Sequence, residues 1–354
     1  MKISNLSRYA LGICAAIAIP TGCGSRTPIG APGAMPHVQA NRQMVAEAKG
    51  SQSSSSAEAP ATNPNLYVAN NYASTVTVYA QGSTKVLRTI SKGVQHADAL
   101  AFDGSRNLYV ANNNTVTVYA PGKTLPLRKI SKGISGPLAL AFDGSGNLYV
   151  ANAGNNTVAV YPPGTMSPLR KISKGIFDPA GLAFDNSGNL YVANYKGNTV
   201  TVYAPGKTSV LRTLSFDVTV PDALAFDGSG NLYLANFGNS TVNVYAPGSA
   251  YPLRTISNGV SYPLALAFDN SGNLYVANAG GSTVTVYAPG SAYPLRTISQ
   301  GVAVPYALAI GSLGYLYVAN FGNSTVTEYA PGETFVVRTI SKGVNKPAAL
   351  AFGP

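Results

Sequence analysis

The chain has 354 residues, 45% of them hydrophobic and only 10% charged, with a mean hydropathy of +0.09. That content suits a packed core in one large or two ordinary domains, and it excludes a chain kept unfolded by its own charge. Lys and Arg outnumber Asp and Glu 24 to 13, for a net charge of +11 that favours anionic partners. No run of Lys or Arg occurs, so the charge is expected to be evenly spread and no specific nucleic-acid site is expected.

At the N-terminus, Lys2 and Arg8 lead into an apolar run from Tyr9 to Ile19. Its length suits an export signal and is too short to cross a bilayer. The run meets Pro20-Thr21-Gly22-Cys23, which resembles a bacterial lipobox with Pro20 where that motif usually has Leu. The resemblance implies a signal peptide over 1–23, lipidation of Cys23, and a membrane partner reached through the lipid. The expected address is the outer membrane or cell surface, otherwise periplasmic or secreted. Cys14 would leave with the signal, so no disulfide is expected. Residues 24–63 are rich in Ala, Pro, Gly and Ser without apolar periodicity, and read as a disordered tether with a reach of ~35 Å.

From Asn65 onward one hexapeptide organises the chain. Close copies of NLYVAN begin at Asn65, Asn107, Asn147, Asn189, Asn231 (NLYLAN) and Asn273, and YLYVAN begins at Tyr315, in steps of 42, 40, 42, 42, 42 and 42 residues. A fixed period of this size marks stacked units that share a core. In the unit from Pro263 to Ser299, four short runs rich in Val, Leu, Thr and Tyr predict strands: a at 265–268, b at 273–278, c at 283–288 and d at 294–299. Four antiparallel strands in about 42 residues make one propeller blade. The first copy begins at strand b, whereas Ala348 to Phe352 is a strand a with no b after it. Pairing these two ends closes a ring and removes its exposed edges, which predicts an all-β, seven-bladed β-propeller over 64–354.

The units resemble the NHL and YVTN groups of bacterial propellers, which carry a similar Asp-x-x-Gly-Asn-hydrophobic-Tyr-Val-Ala core. Five units hold the D-x-S-x-N turn, at Asp103, Asp143, Asp185, Asp227 and Asp269. The resemblance implies the fold. It does not choose an activity, because those groups include scaffolds, ligand binders, lactonases and a streptogramin lyase.

Residues that break the repeat are few. Asp98, Asp178, Asp217 and Asp222 lie in connections from strand d to strand a, and His96 stands two residues from Asp98. These connections share one rim of the channel with the b-to-c loops. His96, Asp98, Asp178 and Asp222 therefore form a candidate acid/base or cation site if they converge, and are solvated loop residues if they do not. The Asn residues ending strand b, Asn70, Asn112, Asn152, Asn194, Asn236, Asn278 and Asn320, form a candidate ligand-binding ring on that rim, unless they serve turn chemistry within each blade. Arg88, Arg128, Arg170, Arg212, Arg254, Arg296 and Arg338 fall one per strand d, where an outward charge would deter edge pairing or else meet an anionic envelope or polysaccharide. Lactonase-type propellers bind a divalent cation with carboxylates and Asn, and this rim offers Asn but no Glu.

The expected function is a monomeric, non-enzymatic scaffold at the cell envelope that holds a protein, polysaccharide or small-molecule ligand without a cofactor. The alternative is a lactonase- or lyase-like enzyme with its site, and one divalent cation, at the channel mouth.

Overall fold

A computed structural model describes residues 64–354. The expectations for 1–23 and 24–63, Cys23 among them, lie outside the described residues. Blade 1 contains β1 (Asn65–Asn70), β2 (Thr75–Tyr79) and β3 (Val86–Ile90). Blade 2 contains β4 (Ala99–Phe102), β5 (Leu108–Asn112), β6 (Thr115–Tyr119) and β7 (Arg128–Ile130). Blade 3 contains β8 (Pro137–Phe142), β9 (Leu148–Asn152), β10 (Thr157–Tyr161) and β11 (Arg170–Ile172). Blade 4 contains β12 (Pro179–Phe184), β13 (Leu190–Asn194), β14 (Thr199–Tyr203) and β15 (Arg212–Leu214). Blade 5 contains β16 (Pro221–Phe226), β17 (Leu232–Asn236), β18 (Thr241–Tyr245) and β19 (Arg254–Ile256). Blade 6 contains β20 (Pro263–Phe268), β21 (Leu274–Asn278), β22 (Thr283–Tyr287) and β23 (Arg296–Ile298). Blade 7 contains β24 (Pro305–Ile310), β25 (Leu316–Asn320), β26 (Thr325–Tyr329) and β27 (Arg338–Ile340), and β28 (Pro347–Gly353) follows it.

The sheets are seven four-stranded units, and β28 pairs with β1 to complete blade 1. The register sets Leu66 opposite Phe352 and Ala69 opposite Ala349, as the complementary chain ends require. The ring is thus a closed seven-bladed propeller.

The core lies between blades. Alternation along strand b turns Tyr109 and Ala111 toward blade 3, where they meet Leu140, Leu148 and Val150, while Leu108 and Val110 turn back toward blade 1. Both faces of strand b are therefore buried, which is why LYVAN is apolar throughout rather than alternating with polar residues. Hydroxyls on strand c tie blades together: Tyr79 donates to the Lys342 carbonyl at 2.6 Å across the closure, and Tyr119 donates to the Lys92 carbonyl at 2.6 Å.

At the a-to-b turn, Asp103 accepts from the backbone N–H of Asn107 at 2.8 Å and from its side-chain amide at 2.8 Å. Gly146 closes the equivalent turn of blade 3 at φ +78, a conformation that suits glycine.

Strand d departs from expectation. On β3 the side chains of Leu87 and Thr89 are exposed and Arg88 turns inward. Arg88 donates to the Tyr67 hydroxyl at 2.5 Å, with its guanidinium 5.6 Å from the ring centroid. The same cation–π placement recurs at Arg128, Arg170, Arg212 and Arg254. These arginines therefore brace strand d against strand b instead of presenting charge at the edge.

Candidate functional site at the channel mouth

Three rings of equivalent residues build the rim. The first is the Asn that ends each strand b. Asn70, Asn112, Asn152, Asn194, Asn236, Asn278 and Asn320 are all buried. Each Oδ1 accepts a backbone N–H from the connection entering its own blade; Asn112 accepts from Gln95 at 2.9 Å and Asn70 from Asn345 at 2.9 Å. The Nδ2 of Asn70 donates to the Val68 carbonyl and to the Thr75 and Thr77 hydroxyls. These amides lie behind the rim and fix the loops that form it.

The second ring is the residue just before strand a: His96, Gly136, Asp178, Val220, Tyr262, Val304 and Lys346, all with φ between 47 and 55. A left-handed Val is strained, and the ring is held by contacts to the preceding blade. The His96 N–H donates to Ser74 Oγ at 3.1 Å, that of Asp178 to Asn156 Oδ1 at 2.7 Å, and that of Val220 to Asn198 Oδ1 at 2.7 Å. His96 and Asp178 thus occupy one position in two blades. The Asp178 carboxylate pairs with Lys196 at 2.8 Å on the surface.

The third ring stands two residues further on: Asp98, Leu138, Ala180, Asp222, Leu264, Tyr306 and Ala348. In six blades the strand register shifts around this residue, as at Ala180 between Pro179 and Gly181, so it is the extra residue of a bulge beside the channel. Asp98 accepts from Asn71 Nδ2 at 2.6 Å, and burial pushes its carboxyl up to about 7 against the opposing effect of that bond. Asp222 is fully buried, neither of its oxygens has a hydrogen-bond partner within the described residues, and burial raises its carboxyl well above the usual range.

Tyr306 is the aromatic member of this ring, and it was not among the candidate site residues. Its ring stacks on Phe321 with centroids 4.3 Å apart. Burial raises its pKa, and the charges of Asp222, Tyr72 and Tyr195 raise it further, so a phenol from blade 7 lies within reach of groups from blades 5, 1 and 4. Around it runs an aromatic arc: Tyr72 meets Phe321 at 5.8 Å, Tyr195 meets Phe237 at 6.5 Å, and Phe237 meets Tyr262 at 5.1 Å. Tyr72 and Tyr262 are exposed. Tyr195, Phe237 and Phe321 each follow the repeated Asn directly, a deviation that was readable in the sequence.

The four acid/base candidates therefore fall in two rings, and Asp98 and Asp222 belong to blades three apart. Among the described residues no three His, Cys, Asp or Glu side chains are grouped to hold a metal. Asp222 stands in its ring between Ala180 and Leu264. One carboxylate between two apolar neighbours is a poor fit to a divalent cation, which takes six or more oxygen ligands.

No protein-family model matches the chain, and no curated protein matches it. Solved structures do. A candidate 6-phosphogluconolactonase from Bacteroides uniformis is 14% identical with a TM-score of 0.69, covering 82% of this chain and 99% of that one. A functionally unknown protein from Desulfotomaculum acetoxidans is 14% identical with a TM-score of 0.68, covering 82% and 98%. A computationally designed protein is 19% identical with a TM-score of 0.62, covering 82% and 93%. At these identities the likeness establishes the fold alone.

Proposed function

We propose that the protein is a non-enzymatic binding module, displayed at the cell envelope, that seats its ligand on the aromatic arc of the channel mouth. The observation that carries this reading is the aromatic arc itself, where Tyr72 packs on Phe321 and Tyr262 on Phe237 while both tyrosines keep exposed faces. Aromatic surfaces with few convergent polar groups are the ordinary makings of a ligand site. A ligand with a flat face, such as a sugar ring or an aromatic peptide side chain, fits this chemistry. Lipidation of Cys23 would tether the propeller to the membrane through residues 24–63.

The alternative, a lactonase-like enzyme, draws its support from the name of one structural neighbour. Its candidate residues are otherwise engaged: Asp178 with Lys196, and Asp98 with Asn71. Two assays separate the readings. Retention on a glycan or peptide array that is lost in Tyr72→Ala and Tyr262→Ala supports binding. Turnover of a lactone panel that disappears in His96→Ala or Asp222→Asn overturns it.

A further inference from the structure

A closed ring converts sequence position into angular position, and the charge is unevenly divided around it. Residues 64–214, which run from blade 1 through blade 4, hold fourteen Lys and Arg against five Asp, whereas residues 215–354 hold five against six acids. The expectation of an even spread is thereby corrected.

The outer wall of blades 2 and 3 concentrates the difference. Leu127 just before β7 and Lys129 on it are exposed while Arg128 turns in toward Tyr109; Leu169 just before β11 and Lys171 on it are exposed while Arg170 turns in toward Tyr149. Lys132 and Lys174 follow in exposed turns, and Leu125 and Met166 are exposed in the links just before the strands. No acid occurs in 120–136 or 162–176. The matching positions in blades 5 and 6 are uncharged: Thr255 and Asn258, and Thr297 and Gln300.

We propose that this wall is a docking surface for an anionic phospholipid bilayer. Leu125, Leu127, Met166 and Leu169 enter the headgroup boundary while Lys129, Lys132, Lys171 and Lys174 meet the headgroups. An exposed leucine precedes the strand-d arginine in six blades and Val337 takes its place in the seventh, so these apolar side chains alone select nothing; their coincidence with Lys129 and Lys171, each directly after that arginine, singles out blades 2 and 3. Apolar side chains beside lysines on one face match a lipid interface, where each contributes separately. An acidic polysaccharide would draw on the lysines alone and leave the leucines in water.

The test uses the full chain carrying Cys23→Ala, so that no attached lipid contributes, sedimented with vesicles of phosphatidylcholine alone or mixed with phosphatidylglycerol. Binding to the anionic vesicles only, weakened by added salt, is expected. The combined Lys129→Ser, Lys132→Ser, Lys171→Ser and Lys174→Ser variant should bind ~100-fold more weakly or worse. Leu127→Ser with Leu169→Ser should also weaken binding while leaving retention on an acidic polysaccharide unchanged. Equal vesicle binding by the lysine variant, or capture by the polysaccharide with no binding to anionic vesicles, overturns the proposal.

Discussion

The backbone carbonyl of Asp222 stands 2.6 Å from the point where a Cβ on Gly181 would lie. The equivalent position in other blades is Ala, as at Ala223 and Ala265, so the innermost strands β12 and β16 approach more closely than their counterparts. Gly181→Ala must push backbone against backbone, and it should destabilise the propeller by ~1–3 kcal/mol. Gly144, which has nothing within 4 Å of its would-be Cβ, is the control; Gly144→Ala should stay within about 0.5 kcal/mol of the parent. Denaturant midpoints measured for both variants check the difference.

Asp98 and Asp222 make stability fall as pH rises. Both carboxyls are raised in the folded state, Asp98 to about 7 from its ordinary 3.8, because burial penalises their charge. The folded protein therefore keeps protons that the unfolded chain has released. That stabilisation is complete below pH ~4 and is lost as pH passes through about 7; for Asp98 it corresponds to ~4 kcal/mol. Melting should be higher at pH 5 than at pH 8. Asp222→Leu, which installs the residue found at Leu138 and Leu264, should raise the melting temperature at pH 8 and flatten the profile.

Closure rests on one strand. Truncation before Pro347 removes β28, leaves Leu66 and Val68 without their cross-strand partners Phe352 and Leu350, and exposes both edges of the ring. The whole propeller should lose cooperativity, seen as a broadened, lower thermal transition. An unchanged melting curve would contradict the closed-ring account.

Blade 7 holds an ion pair between a buried carboxylate and a partly exposed arginine. Glu328 accepts from the Tyr317 hydroxyl at 2.8 Å and pairs with Arg338 at 2.8 Å, where other blades have Val and a direct Arg-to-Tyr bond. Arg338→Ala leaves the buried Glu328 carboxylate with the Tyr317 hydroxyl alone and should cost ~1–3 kcal/mol, less than a fully buried pair because Arg338 reaches solvent. Glu328→Val restores the arrangement of the other blades and should cost less than ~1 kcal/mol, by the same unfolding measurement.

Much of the candidate site was legible only in outline. Asp98 and Asp222 stood out as breaks in the repeat, and their places beside the channel follow from the connection they occupy. Their burial did not, because Leu264 and Tyr306, which share their ring, come from other blades. The ring of Asn residues was visible as a repeat, with turn chemistry as one of its two readings. That its amides are committed within each blade became evident from bonds such as Gln95 to Asn112, made between a loop and a strand end. Tyr306 carried no signal of its own, since Leu, Ala and Asp occupy the same position elsewhere.

By itself the sequence determined the blade and the ring. The period counts the units, and an orphan strand at each end can be satisfied only by closure, because a strand edge left unpaired exposes backbone donors and acceptors. Tertiary structure decided which way Arg88 and its equivalents face, how deeply Asp222 is buried, and that nine lysines gather on one half of the disk while two lie beyond it. Each of these depends on pairing between residues far apart in the chain. The face of a three-residue strand is set by its neighbour's register, and a lysine's angular position is set by the closure of the whole ring.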